Sequence, residues 1–164
     1  MTEYVFSPSA LNSGTILYDE GYHFAVAQLS SEKFLIIFQQ ENPRQILGSL
    51  VDTSSGTPVF GPTQQILDLS LFNVTKPAYG LSAAALTENQ VVLLWKDQTD
   101  RTSENLEIFL IDVISSTDIS LNNAWVIDDI LYYPNPKFMV VPKNSTQVRM
   151  IVFTWTPTHW LVAI

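Results

Sequence analysis

Aromatic side chains are the groups in this chain best suited to recognising a ligand. The flat face of a tryptophan or tyrosine beside polar groups can stack on the C–H face of a sugar ring. Of the four tryptophans, Trp95 and Trp155 end apolar runs, which favours packing in a core. Trp125, Tyr132 and Tyr133 lie near polar loops. We predict these three as ligand or partner contacts, with core packing as the alternative.

A second group of polar side chains lies between residues 97 and 104. Asp97, Asp100 and Glu104 place oxygen ligands at short spacing, as a calcium loop requires. The segment lacks the glycine and the regular alternation of such a loop, and Arg101 opposes a bound cation. We therefore predict a solvated loop in which Asp97, Asp100 and Arg101 contact a partner, and no metal site.

Catalytic patterns are not recognisable in the sequence. His23 and His159 are the two histidines, and neither has an acid or a serine in a recognisable arrangement. The carboxylates of Asp128 and Asp129 are adjacent, and neighbours on a strand point to opposite faces. No glycine-rich phosphate loop and no paired-histidine metalloprotease helix occurs. The prediction is a protein without catalytic residues, cofactor or metal.

Composition narrows the classes of partner. The chain has 164 residues, 46% of them hydrophobic and 15% charged, which suits one folded domain with a buried core. Its net charge of −8 repels phosphate backbones and anionic lipids, so we expect neither nucleic acid nor membrane insertion. Cysteine is absent, and residues 1–20 lack the pattern of a secretory signal. These features are compatible with a cytoplasmic location, or with an extracellular one that is reached without a classical signal.

Short apolar runs separated by turns recur along the chain. Leu29 corresponds to Leu86 and Phe38 to Trp95, each at an offset of 57, and Leu50 corresponds to Leu110 at an offset of 60. Matching order with one loop insertion is what a structural repeat predicts. The units span approximately 22–69, 79–130, and 133–164 together with 10–18. The run 34–38 is apolar at every position, which indicates a strand covered on both faces.

The third unit ends without a fourth strand, and a matching strand precedes the first unit. The segment 12–16 has the turn and strand that follow Ser54 in the first unit. We predict an all-β, β-propeller-like fold of three four-stranded antiparallel blades, the last completed by the N-terminal strand. A β-sandwich or jelly roll is the alternative. Because propellers usually close with about four to eight blades, a chain of three should form a homo-oligomer.

Two resemblances to known proteins follow from these features. The turn Asp52-Thr-Ser-Ser-Gly-Thr57 resembles the Asp-box turn of sialidase-like propellers in composition and location. Its aspartate lies farther from the glycine and its aromatic residue, Phe60, comes later, so no sialidase activity is implied. The whole acidic, cysteine-free, repeat-built chain resembles structural components of phages and viruses.

This resemblance implies a non-enzymatic structural or surface module of a virion. Such a module would assemble with itself and with other structural proteins, and it would contact glycans through its loop aromatics. Two alternatives remain at this point. One is a free glycan-binding lectin, and the other is a glycosidase-like propeller subunit with a pair of carboxylates in a pocket.

Overall fold

The apolar runs form antiparallel strands connected by short turns. The computed structural model describes residues 24–41, 43–72, 80–96, 106–115, 117–127, 137–155 and 160–163. The strands are β1 (Phe24–Gln28), β2 (Lys33–Glu41), β3 (Arg44–Asp52), β4 (Val59–Phe60), β5 (Gln64–Asp68), β6 (Gly80–Thr87), β7 (Gln90–Lys96), β8 (Leu106–Ser115), β9 (Asp118–Ile127), β10 (Lys137–Asn144), β11 (Gln147–Trp155) and β12 (Trp160–Ala163). A 3-10 helix at Leu69–Phe72 follows β5, and the described residues contain no α-helix.

The strands make three antiparallel sheets in chain order. Sheet A has the order β1-β2-β3, and β4 and β5 both pair with the outer edge of β3. Sheet B has the order β6-β7-β8-β9, and sheet C the order β10-β11-β12. None of the three sheets closes on itself within these ranges. The prediction of an all-β fold is confirmed, and the strand predicted at residues 10–18 lies outside the described residues.

The first hairpin of each sheet has the same register. Phe24 pairs with Phe38 in sheet A, Leu81 with Trp95 in sheet B, and Phe138 with Val152 in sheet C. The offset is 57 at every step, since 24 + 57 = 81 and 81 + 57 = 138, while 38 + 57 = 95 and 95 + 57 = 152. Corresponding residues therefore point to corresponding faces of their sheets.

The sheets pack face to face, with sheet B between the other two. We call the face that a sheet turns toward the next sheet its front, and the opposite face its back. The front of sheet A, with Leu35 and Ile37, packs on the back of sheet B, with Val91 and Leu93. The front of sheet B packs on the back of sheet C around Val140. Apolar burial between faces drives this stacking.

Position in the stack decides how completely a strand is covered. All five residues 91–95 of β7 are buried, at 0 to 6% exposure, because β7 has a sheet on either side. In β2, Leu35 and Ile37 on the front are fully buried, but Phe34 and Ile36 on the back are only half-buried. The expectation that residues 34–38 are covered on both faces is therefore met on the front face and, on the back, at Phe38, which is 7% exposed.

Side-chain hydrogen bonds fix the sheets in place beyond their apolar contact. The indole Nε1 of Trp95 donates to Oε1 of Gln39 over 3.2 Å between sheets B and A. The backbone N–H of Val140 donates to Oγ of Ser82 over 3.0 Å between sheets C and B. Directional bonds of this kind select one relative placement among the many that apolar contact alone would allow.

Candidate functional site

Of the six predicted contact residues, the structure describes Trp125. It lies on β9, the edge strand of sheet B, and its side chain is 46% exposed. Tyr132, Tyr133, Asp97, Asp100 and Arg101 lie outside the described residues, as do His23, His159, Asp128 and Asp129. The prediction of Trp95 as a core residue is confirmed, because its side chain is completely buried against Phe109.

Trp125 lies on the front of sheet B, where sheet C does not fully cover it. Trp125 pairs with Ile108 on β8. Ile108 and the nearby Leu110 are half-buried and pack against the core between sheets B and C. Strands β10 and β11 lie mainly against β6 and β7, the two strands farthest from Trp125. The front of sheet B therefore changes from a buried interface at β6 to an exposed surface at β9.

A β-bulge in the pairing of β8 with β9 places polar side chains next to this surface. The pairing of β8 with β9 shifts between Leu110 and Ile111, so one extra residue, Asn122, enters β9. Its Nδ2 donates to Oδ2 of Asp112 over 2.6 Å, and Nε2 of Gln90 donates to Oδ1 of the same carboxylate over 3.1 Å. Bulges re-aim the side chains around them. We call Ile108, Leu110, Asp112, Asn123 and Trp125 the Trp125 surface.

The Trp125 surface combines an exposed indole ring with amide and carboxylate groups. An indole face supplies stacking area, and the neighbouring polar atoms supply hydrogen bonds, as sugar-binding surfaces require. The sequence identified Trp125 itself. It gave no sign of the bulge or of Ile108 as neighbour, because both depend on how β8 pairs with β9.

Sequence reasoning missed a second kind of exposed surface at the two ends of the stack. On the back of sheet A, Phe24 is 71% and Val26 46% exposed, next to the half-buried Phe34 and Ile36. On the front of sheet C, Met139 is 47% exposed. The residues of sheet B at the same repeat positions are covered by a neighbouring sheet. Comparing residues at the offset of 57 could therefore have pointed to these two surfaces.

The turn that resembles an Asp box is a structural element of sheet A. Oδ1 of Asp52 accepts a hydrogen bond from the backbone N–H of Ser54 over 2.8 Å. Hydrogen bonds from Ser54, from its side chain first and then its backbone, lower the pKa of Asp52, and the charge of Lys33 adds to them. Thr53 ties the turn to the preceding hairpin, because its N–H and Oγ1 both donate to the carbonyl oxygen of Glu32. Asp52 therefore stays ionised as a turn residue.

Asp68 is held in the same way at the end of β5. Its Oδ1 accepts from the hydroxyl of Ser70 over 2.6 Å and from the Ser70 backbone N–H over 2.9 Å. These two hydrogen bonds, the side-chain one first, lower the pKa of Asp68. A carboxylate stabilised in its charged form is poorly suited to donate a proton.

Among the residues described, no three His, Asp or Glu side chains come close enough together to bind a metal ion. The helical segment in the same ranges lacks the length and apolar character to cross a bilayer. The chain matches no protein-family model, and no curated protein or solved structure is significantly similar to it.

Proposed function

We propose that this protein is a non-enzymatic structural module that assembles with copies of itself, as a component of a virion. The observation that carries the proposal is the exposure of apolar side chains at the two ends of the sheet stack, Phe24 and Val26 on the back of sheet A and Met139 on the front of sheet C. Large apolar side chains gathered on a sheet face are typical of protein interfaces. The virion as the place of assembly rests on the resemblance to phage and virus structural proteins.

The proposal includes a propeller-like arrangement of the sheets. The first strands of the sheets lie side by side, since β1 contacts β6 and β6 contacts β10. In a propeller the first strand of each blade lies next to the central axis, so neighbouring blades meet along these strands. Three sheets turned about one axis leave an open sector, which further copies would fill. In this proposal, the oligomer closes the ring of sheets that a single chain leaves open.

Sedimentation velocity over a concentration series tests self-assembly. We expect a discrete species larger than 18.4 kDa that becomes dominant as the protein concentration rises. A folded monomer at every concentration would contradict the proposal. Quantitative mass spectrometry of purified virus particles tests the location, and a constant copy number per particle is the expected result.

The Trp125 surface supports a second candidate function, the binding of a glycan. Its half-exposed indole ring lies on an edge strand, on the same face as Asn123 two residues away, where a sugar ring could stack and form hydrogen bonds. This function is compatible with the first, because the Trp125 surface is separate from the back of sheet A.

A glycan array compares the wild type with Trp125→Ala, and Val126→Ala serves as the matched control. Val126 is 51% exposed, is next to Trp125 in sequence and points to the other face of β9. We expect binding that Trp125→Ala abolishes and Val126→Ala retains. Equal loss in both variants, or no binder in the wild type, would remove the glycan hypothesis.

A further inference from the structure

The back of sheet A repeats a face that is buried elsewhere in the molecule. Subtracting the offset of 57 from Leu81, Leu93 and Trp95 on the back of sheet B gives Phe24, Ile36 and Phe38 on the back of sheet A. In sheet B these positions form part of the largest core, under the front of sheet A. In sheet A, the same positions point away from sheet B. Phe24 is 71% exposed and Ile36 is half-buried, while Phe38 is 7% exposed, so the exposed part of this face lies on β1, at Phe24 and Val26.

Within the chain, each buried back face is covered by the front face of the neighbouring sheet. The front of sheet C corresponds to those covering faces. Val141 of sheet C corresponds to Ala84 in sheet B and to Ala27 in sheet A, because 141 − 57 = 84 and 84 − 57 = 27. Ala27 and Ala84 are buried under the following sheet, at 1% and 6% exposure. At the free end, Val141 is half-buried, and Met139 beside it is 47% exposed.

We infer that the front of sheet C in one copy packs on the back of sheet A in a second copy. The contact would reproduce between chains the packing that joins A to B and B to C within the chain. It is heterologous, meaning that two different faces meet, so it generates a ring if the rotation closes and a filament if it does not. This inference rests on the proposed self-assembly and names the faces that carry it.

A second copy is the occupant that the repeat favours for the back of sheet A. Within the chain, neighbouring sheets meet mainly along their first strands, β1 with β6 and β6 with β10. The exposed Phe24 and Val26 lie on β1, and the exposed Met139 lies on β10, at corresponding strands of the two free faces. A second copy therefore supplies a first strand whose front occupies the repeat positions that cover a back face within the chain.

Two charged residues distinguish the free front from the buried ones. Lys143 is exposed and corresponds to Leu86 in sheet B and to Leu29 in sheet A, since 143 − 57 = 86 and 86 − 57 = 29, and both leucines pack in a core. Arg149 corresponds to Val92 in sheet B and to Leu35 in sheet A, since 149 − 57 = 92 and 92 − 57 = 35. Both counterparts are buried, whereas Arg149 is exposed. An arginine at this position weakens apolar packing and keeps the association reversible. Replacing Arg149 with leucine should therefore strengthen it.

The test uses complementary variants of the full chain in sedimentation velocity. Phe24→Asp damages the back of sheet A, and Met139→Asp damages the front of sheet C. Val59→Asp is the matched control, because Val59 is 58% exposed on β4 and belongs to neither face. We expect each face variant alone to sediment as a single chain, the control to sediment as the wild type, and Arg149→Leu to associate at lower concentration.

Mixing the two face variants gives the decisive result. Phe24→Asp retains an intact front of sheet C, and Met139→Asp retains an intact back of sheet A, so a mixture can form one contact and no more. We expect a 1:1 dimer in the mixture. Circular dichroism and thermal unfolding of each variant establish that it is folded.

Three outcomes would overturn the inference. An oligomer unaffected by Phe24→Asp would leave self-assembly intact and show that other surfaces carry it. An oligomer lost with Phe24→Asp but retained with Met139→Asp would indicate that two backs of sheet A meet. A wild type that stays monomeric, and whose unfolding temperature Phe24→Asp lowers, would show that the chain covers the face itself, and the proposed function would fail with it.

Discussion

At the scale of single residues, the bond between Trp95 and Gln39 is the clearest specific contact in the core. Gln39 is 2% exposed and Trp95 is completely buried, so neither side chain can exchange its partner for bulk water. A buried donor without an acceptor costs about 1 to 3 kcal/mol. We expect Gln39→Leu to lower the free energy of unfolding by that amount, measured by urea denaturation.

The matched control for Gln39 is Gln65→Leu, at an exposed position on β5, which should change stability little. Adding Trp95→Phe to Gln39→Leu removes the unpaired indole N–H as well. The double variant should therefore be more stable than the sum of the two single effects predicts. Strict additivity would show that the hydrogen bond between the sheets contributes nothing measurable.

Asp68 carries a pH dependence whose sign follows from its hydrogen bonds. Ser70 lowers the pKa of Asp68 below the ordinary value of 3.8, first through its hydroxyl and then through its backbone N–H. A carboxyl group with a lowered pKa in the folded state contributes stability above its ordinary pKa. That contribution is lost as the pH falls through the lowered value. NMR titration should show Ser70→Ala raising the pKa of Asp68 toward 3.8.

Ser55→Ala is the control for this titration, because its hydroxyl donates to the carbonyl oxygen of Thr57 and not to a carboxylate. It should leave the pKa of Asp68 unchanged. If Ser70→Ala also leaves it unchanged, the hydroxyl is not the group that stabilises the charge, and the backbone N–H of Ser70 alone must do so.

At the scale of elements, Gly48 sets how closely β5 approaches β3. A Cβ atom at Gly48 would lie 2.7 Å from Cδ1 of Ile66 and 3.4 Å from Cδ1 of Leu35. Overpacking of this kind usually costs about 1 to 3 kcal/mol. We expect Gly48→Ala to destabilise the protein within that range in urea denaturation.

Ile66→Val provides the rescue, since it removes the Cδ1 atom that the added methyl group would meet. Alone it should cost about 0.5 to 1.5 kcal/mol as an ordinary core truncation. Combined with Gly48→Ala it should cost less than the sum of the two. Additive losses would mean that the glycine is required for backbone reasons and not for the space that Ile66 fills.

At the scale of the whole molecule, net charge opposes the assembly that the apolar faces favour. Each chain carries a net charge of −8, so copies repel one another at low ionic strength. We expect sodium chloride at about 0.5 M to strengthen self-association relative to about 0.05 M, because the Debye length shortens. Sedimentation velocity at the two salt concentrations measures this. Weaker association at high salt would indicate an interface held by ion pairs.

Strand positions and most turns could be predicted from the sequence, because apolar runs and turn residues act over a few neighbours. The candidate site could be predicted only in part. Trp125 was identified by its residue type and its polar surroundings. Its pairing with Ile108 and the bulge at Asn122 follow from the register between β8 and β9, and register depends on contacts that no local pattern contains.

The sequence alone determined the repeat, with its offset of 57 between Phe38 and Trp95. It also determined that residues 34–38 and 91–95 are both apolar runs, and for the first of them it predicted a strand covered on both faces. Only the tertiary structure decided that the second run is buried on both faces, while Phe34 and Ile36 in the first are half-buried on the back of sheet A. The reason is physical: a repeated strand has the same pattern wherever it occurs, but its burial depends on whether another sheet lies next to it.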